Sequence, residues 1–296
     1  MRILAVGSEG NIGAPLTAHL RSVGHEVYST DIRPGFRGGY ATADITHPLD
    51  LLDAFDTDPE VVYIMAAVVS RVVCEASPSL AVATNLAGLQ NVLTLSRRVG
   101  ARVVFFSTSE VYGPTDEIMD EDQTPPRPNN RYGLTKYLGE QLVEYEARNG
   151  LGASVVRPFM IYSEDEDLGD HRSFMIRCAQ NLSEGRAVDV HAGSVRGWMH
   201  VSDAVVALER MAYLTSYHVV NIGHPDLVDT AELAGMVRVR LDAPSYLLRA
   251  VDQPERMTLV KRPALDKQTD LLGVAPAVPL ADGVGRVCVR FARVAA

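Results

Sequence analysis

Arg2-Ile3-Leu4-Ala5-Val6 is a short apolar run that breaks at Gly7-Ser8-Glu9-Gly10-Asn11-Ile12-Gly13, and a helix-compatible stretch, Ala14 to Val23, follows at once. This order leaves the chain few folds to choose from. A strand, a glycine-rich turn and a helix start aim backbone N–H groups and a helix dipole at one point, which makes a site for a pyrophosphate. The next run, Glu26 to Thr30, ends in Asp31, about the right distance on to accept from both hydroxyls of an adenosine ribose. An acid there repels a ribose 2′-phosphate and so favours NAD over NADP, while Arg33, two residues on, keeps NADP open.

The rest of the first half repeats the pattern. Pro34 to Tyr40 reads as a glycine-rich loop, and Asp44-Ile45 precedes a short helix from about Pro48 to Phe55. Val61 to Ala67 is a third apolar strand whose small alanines let a cofactor lie across its end. A long helix, about Ser79 to Arg98, carries Asn85 and leads through Gly100 into the strand Arg102 to Phe106. Strands alternating with helices over short links predict an α/β fold with a doubly wound parallel sheet, which binds ligands beyond the carboxyl ends of its strands.

At one such end lies Ser107-Thr108-Ser109-Glu110-Val111-Tyr112-Gly113, a cluster of hydroxyls around one carboxylate. Thr108 can hydrogen-bond a reacting hydroxyl, and Glu110 can move a second proton. After the breaker-rich run Thr124 to Asn130, the stretch Arg131 to Glu140 opens a helix with apolar residues at Leu134, Leu138, Leu142 and Val143. Tyr132 and Lys136, four apart, leave the same face of that helix. A neighbouring ammonium favours the ionised phenol, so the pair predicts a proton-transfer group usable near neutral pH. With only three lysines in the chain, Lys136, Lys261 and Lys267, chance is a poor explanation of the spacing.

The 296 residues carry a net charge of -9 with a pI near 5.4, and no basic stretch stands out, which argues against a nucleic-acid or anionic-membrane partner. The longest apolar run, Val61 to Val69, is too short to span a bilayer, and residues 1 to 8 enter a strand with no signal-type segment. A soluble, cytoplasmic protein with a small ligand is the expectation. Cys74, Cys178 and Cys288, scattered and odd in number, suit buried thiols better than disulfides or a metal site.

Taken together, these motifs resemble the extended short-chain dehydrogenase/reductases of the NAD-dependent epimerase/dehydratase group, which act on nucleotide sugars. The resemblance rests on Gly7-x-x-Gly10-x-x-Gly13, Asp31, Asp44-Ile45, Ala66-Ala67, Asn85-x-x-Gly88, Ser107 to Gly113, Tyr132-x-x-x-Lys136, Arg157-Pro158, Arg196 to Asp203, and Asp266-Lys267 to Leu272-Gly273. It implies a Rossmann domain over residues 1–158, with 198–222 returning to it, and a smaller C-terminal substrate-binding lobe from 159–197 and 223–296. It implies that NAD is held by Gly7, Gly10, Asn11, Ile12, Gly13, Asp31, Ile32, Asp44, Ile45, Ala66, Ala67, Asn85, Ser107, Tyr132, Lys136 and Pro158. Tyr132 would be the base, Lys136 would bind the nicotinamide ribose and lower the tyrosine pKa, and Thr108 would bridge substrate and tyrosine. Ser70, Thr108, Ser109, Glu110, Met160, Arg196 and Arg262 would contact the nucleotide sugar, the arginines at its diphosphate. A homodimer through the Asn85 and Tyr132 helices is implied as well.

The chain also departs from the pattern. Ile64 stands where the family's strand motif has histidine, Met160 where it often has a diphosphate-touching asparagine, and Glu164 to Asp170 is an acidic run that reads as a solvated loop. The expected reaction is 4-epimerisation of a nucleotide-linked hexose through a transient 4-keto sugar. A decarboxylase or 4,6-dehydratase using Glu110 is the alternative, the Thr-Ser-Glu-Val-Tyr-Gly string being similar to that of nucleotide-sugar decarboxylases. A 4-keto reductase and a non-catalytic dinucleotide sensor complete the set.

Overall fold

The structure is a computed structural model, and it describes residues 1–35, 38–169, 172–252 and 258–292. Phe36 and Arg37 of the glycine-rich loop, and Asp170 at the end of the acidic run, lie outside the described residues. Seven strands build a wholly parallel sheet: β1 (Arg2–Val6), β2 (Glu26–Asp31), β3 (Tyr40–Thr42), β4 (Val61–Ile64), β5 (Arg102–Phe106), β6 (Ala153–Pro158) and β10 (Val219–Ile222). Their order across the sheet is β10-β6-β5-β4-β1-β2-β3. The chain starts in the middle, winds out to β3, then crosses back to β4, so a crevice forms where β1 and β4 diverge. All four residues of β4 are buried, as a strand covered on both faces requires.

Helices α1 (Gly13–Ser22), α2 (Leu52–Phe55), α3 (Arg71–Ala76), α4 (Pro78–Val82), α5 (Leu89–Val99), α6 (Arg131–Arg148) and α8 (Val201–Met211) flank this sheet. The long helix read from the sequence is interrupted: Ala83–Gly88 forms a π-helical turn between α4 and α5. It places the buried Asn85 side chain against Thr135, 3.0 Å away on α6. β3 also escaped the sequence reading. It is three residues long at a sheet edge, and only Tyr40 in it is buried, so there is no apolar run to detect.

The smaller lobe holds β7 (Met160–Tyr162), β8 (Val188–Val190), β9 (Val195–His200), β11 (Leu227–Asp229), β12 (Leu248–Ala250) and β13 (Val260–Lys261), with helices α7 (Phe174–Ser183), α9 (Thr230–Arg240) and α10 (Leu280–Val289). β9 is its axis, pairing with β7, β11 and β13. Residues 198–200, assigned above to the returning segment, therefore pair in this lobe, and the return to the large sheet starts with α8.

In α6 the apolar reading holds for Val143 and not for Leu134 and Leu138. Leu134 and Leu138 are each 43% exposed, whereas Gly133, Thr135, Lys136, Gly139, Glu140 and Val143 face the sheet. Small residues allow the close approach, and a buried ion pair, Glu140 with Arg157 of β6, takes the place of apolar packing. Asn130 caps the helix, its Oδ1 accepting from Gly133 N at 2.9 Å.

Asn221 of β10 stitches the lobes together. Its Nδ2 donates to the carbonyls of Met119 and Ala264 (2.8 and 3.2 Å), and its Oδ1 accepts from the Tyr112 hydroxyl at 2.9 Å. Asn221→Ala would leave the Ala264 carbonyl unpaired and the Tyr112 hydroxyl without its acceptor, while the Met119 carbonyl keeps the Ala264 N–H at 3.0 Å, at a cost of about 2 kcal/mol. Urea unfolding followed by the fluorescence of Trp198, the single tryptophan, measures this, and a loss below about 1 kcal/mol would contradict the role.

Candidate active site

β1 ends at Gly7, whose φ of +91° and contact with the next strand exclude any side chain: a Cβ there would lie 2.4 Å from the backbone nitrogen of Ala66. Past this crossing a cavity of about 740 Å³ opens over the carboxyl ends of the strands. Gly7, Gly10, Asn11, Ile12 and Gly13 form one wall, and Asp31, Ile32, Asp44 and Ile45 close one end. Ala66 and Ala67 line the middle, while Ser107, Thr108, Tyr132, Lys136 and Pro158 close the other end. Asn85 is the exception among the sequence-derived cofactor positions. It sits behind the wall and pins the lining residue Val68 through both of that residue's backbone groups, at 2.8 and 3.1 Å.

The cavity fits a dinucleotide on its own terms. The buried Asn11 Oδ1 has no hydrogen-bond partner in the protein, so the turn presents an unspent acceptor. Asp31 is held by the N–H groups of Glu9 (2.9 Å) and Arg33 (3.0 Å), which fix its carboxylate while leaving lone pairs for two ribose hydroxyls.

At the catalytic end the first turn of α6 lies on the turn after β5. A Cβ on Gly133 would come 2.6 Å from the Glu110 carbonyl, so only glycine lets Tyr132 approach Thr108 this closely. The Thr108 hydroxyl accepts from Glu110 N at 3.2 Å, which leaves its own O–H free to donate. Burial pushes the Tyr132 phenol above its ordinary value; the Thr108 hydrogen bond draws it back, and the Glu110 and Cys74 charges push it further up. Lys136, 2% exposed, has its ammonium 4.6 Å from the centre of the Phe105 ring. Burial pulls that ammonium down to about 7, against the opposing charge of Glu140. In the protein alone desolvation is the largest influence at both groups, and a positive charge in the cavity would favour the phenolate.

Glu110 is not a free proton carrier. Lys261 Nζ is bonded to its Oε1 and to Ser109 Oγ, the latter at 3.1 Å; Asn130 Nδ2 reaches Oε2 at 2.8 Å, and Arg71 lies 3.9 Å from it. Burial pushes this carboxyl up, but the charges of Lys261 and Arg71 and the hydrogen bonds from Lys261 and Asn130 prevail and hold it at about 2. Arg196, 7% exposed, completes the group: one Nη donates to the Thr258 carbonyl at 3.1 Å, and the other is buried without a partner. Burial brings its guanidinium down to about 10, with Glu110 opposing. Three cations surround one carboxylate next to the reacting end of the cavity.

Chain comparisons agree with this geometry. A model of the "NAD dependent epimerase/dehydratase family" matches residues 3–223. The chain belongs to that family. Among its relatives, UDP-glucuronic acid decarboxylase 1 of Danio rerio is 30% identical over 99% of this chain and 73% of the relative. UDP-glucuronic acid decarboxylase 6 of Arabidopsis thaliana is 29% identical over 96% of the chain and 87% of the relative. Of solved structures, MoeE5 in complex with UDP-glucuronic acid and NAD is 25% identical, with a TM-score of 0.88 and 98% of both chains covered. The UDP-glucose 4-epimerase of Thermus thermophilus in complex with NAD, 23% identical with a TM-score of 0.90 over 100% of both chains, shares the fold.

Three positions expected at the substrate, Ser70, Met160 and Arg262, do not line the cavity. Ser70 caps α3, accepting from Val73 N at 3.2 Å, and Met160 packs half-buried against the lobe's apolar core. Arg262 is exposed, and its neighbour Lys261 is the residue that points inward. Alternation along β13 decides which of the two faces Glu110, and a two-residue strand gives no periodicity to read it from. Arg71 and Asn130 carried no motif. Among the described residues no group of side chains could hold a metal ion, no helix is long and apolar enough to cross a membrane, and the three cysteines are free and buried.

Glu110→Gln leaves Lys261 and Arg196 without their anion, and is expected to destabilise the protein by about 3 kcal/mol at neutral pH. The folded pKa of Glu110, about 2, lies below its ordinary 4.5. Its stabilisation is therefore complete above about pH 5 and disappears as pH falls toward the folded value. Denaturant curves of wild type and variant should converge over that interval, and a gap unchanged down to about pH 3 would sink the assignment.

Proposed function

We propose that the protein is a nucleotide-sugar decarboxylase, acting on a nucleotide-linked hexuronate through a 4-keto intermediate. The observation that carries this is the excess of cations, Arg71, Arg196 and Lys261 against Glu110, beside Thr108 and Tyr132. A net positive charge around one carboxylate favours an anionic substrate, and the Arg196 guanidinium, with one Nη lacking a partner, suits a carboxylate or phosphate. The relatives named UDP-glucuronic acid decarboxylase, and the neighbour bound to UDP-glucuronic acid, support the same substrate class.

The chemistry asks little else of the protein. Bound NAD supplies a hydride acceptor, a positive charge and later the same hydride, so the overall reaction needs no outside oxidant. Tyr132, as phenolate, takes the proton of the C4 hydroxyl while Thr108 orients that hydroxyl. The resulting C4 ketone stands β to the C6 carboxylate. The C5–C6 bond can then break, carbon dioxide leaves, and its electron pair passes into an enolate whose oxygen is stabilised by the Tyr132 and Thr108 hydroxyls. C5 takes up one proton, and Tyr132 returns its own proton to the C4 oxygen, leaving a pentose. Glu110, ionised throughout, orders the cations rather than donating a proton.

Epimerisation at C4, the first expectation from sequence, is favoured by a different observation. Thr108, Tyr132 and Lys136 line the cavity without Glu110, and a 4-epimerase needs no further group. Incubation with UDP-glucuronate and no added cofactor separates the two. A product lighter by carbon dioxide by mass spectrometry is expected; an isomer of unchanged mass would replace the decarboxylase reading. Tyr132→Phe should lower turnover by about a hundredfold or more while keeping the bound dinucleotide.

A homodimer belongs to the same proposal. Leu134 and Leu138, each 43% exposed on α6, are large apolar side chains left uncovered in a single chain.

A further inference from the structure

The acidic run after β7 is exposed at Asp165 and Asp167 but anchored at Glu164 and Glu166. Glu166 is 4% exposed and accepts from Ser173 N and Oγ at 2.7 and 2.6 Å. Glu164 bonds His200 Nε2 at 2.7 Å, and Arg290 Nη1 donates to the carbonyls of Glu164 and Glu166 at 2.9 and 2.6 Å. Pinned in this way, the run carries Asp167 from the smaller lobe to the adenosine end of the cavity. There its Oδ2 accepts from Arg172 at 3.0 Å and from Arg33, of the loop after β2, at 2.6 Å.

Arg33 is the residue that could serve a 2′-phosphate. It follows Asp31 by two positions and lines the same end of the cavity. Its guanidinium is already committed, Nη1 to the Glu9 carbonyl at 3.0 Å and Nη2 to Asp167. We propose that Asp167 is a positioning residue for cofactor choice: it holds Arg33 across the adenosine end of the cleft, so that this cation is withheld from a 2′-phosphate and the smaller lobe is latched over NAD.

An isolated exposed ion pair shifts an equilibrium only a few-fold, because side-chain entropy offsets much of the attraction. Here one carboxylate is shared by two guanidinium groups, on a segment already ordered by other contacts, so little entropy remains to be lost. The pair joins residues 134 positions apart in the chain, and separation of the lobes must break it. Three carboxylates, Glu9, Asp31 and Asp167, also act on Arg33, and the Asp167 hydrogen bond does most to raise its pKa.

The experiment reads cofactor binding with no sugar present, so its failure would leave the decarboxylase reading untouched. NADH and NADPH affinities and NADH release are measured by nicotinamide fluorescence on wild type, Asp167→Asn, Arg33→Ala and the double variant. Asp167→Asn should raise the NADPH-to-NADH affinity ratio about tenfold, the size of one charge-assisted contact, and speed NADH release about threefold or more. Arg33→Ala should speed release to the same extent without the gain in NADPH, and the double variant should match it. The affinity ratio decides: an unchanged ratio in Asp167→Asn, or a gain in NADPH by Arg33→Ala, overturns the proposal. Both residues are nearly half exposed, at 46% and 47%, so the variants are expected to fold, and thermal melts check this.

Discussion

A carboxylate buried next to a reaction site must be paired, and Glu110 is where that requirement organises the molecule. Its partners come from three separate places: Lys261 from β13 of the smaller lobe, Asn130 from the cap of α6, and Arg71 from the start of α3. Lys261 is buried and Glu110 nearly so, and removing either leaves a charge without its counter-ion in a region of low dielectric, which costs several times what a surface pair contributes. The same carboxylate therefore ties the smaller lobe to the larger one and sets the height at which α6 meets the turn after β5. Tyr132 and Thr108 meet because that height is fixed.

Behind the site a second buried pair does a related job. Glu140 accepts from Arg157 Nε and Nη2 at 2.9 and 2.7 Å, and from the Ser107 hydroxyl. It lies one turn from Lys136 on the inward face of α6, where its negative charge opposes the loss of the lysine proton. Arg157 in turn stacks 4.7 Å from the centre of the Tyr112 ring, whose hydroxyl reaches Asn221. A chain of buried polar contacts thus runs from Glu140 to the edge strand β10. Its members are nearly fully buried, so each link depends on the others being in place.

The cavity itself is a consequence of the sheet's winding. Strands β1 and β4 are neighbours in space although β2 and β3 come between them in the chain, and they part just beyond the point where the backbone N–H of Met65 still reaches Val6 O at 2.8 Å. The large sheet builds most of the cavity wall, and Glu166 and Arg172 of the smaller lobe line it as well. The smaller lobe also brings Arg196 and Lys261 toward Glu110 and, through the acidic run, Asp167 to Arg33.

Much of this was legible in the chain. The glycine turn, Asp31, the Thr-Ser-Glu string and the Tyr132–Lys136 spacing are local, and local geometry places their backbones whatever the rest of the chain does; the cavity gathers the turn, Asp31, Thr108, Tyr132 and Lys136, while Ser109 and Glu110 stay off its wall. What the reading missed depends on residues far apart in sequence. Whether Lys261 or Arg262 faces inward is set by the register of β13 against β9, and whether Leu134 or Lys136 is buried is set by the partner that α6 finds in β6. The acidic run looked like a solvated loop because its partners, His200, Arg290 and Arg33, lie 36, 124 and 134 residues away from the positions they bind. The fold class, the dinucleotide turn and the shared helix face of Tyr132 and Lys136 were settled by the order of residues, since each follows from contacts within a turn or two of chain. Which charges are paired was left to folding, and with it the facts that Glu110 stays ionised and Arg33 is occupied, because a charge's state depends on neighbours that only the folded chain brings within reach.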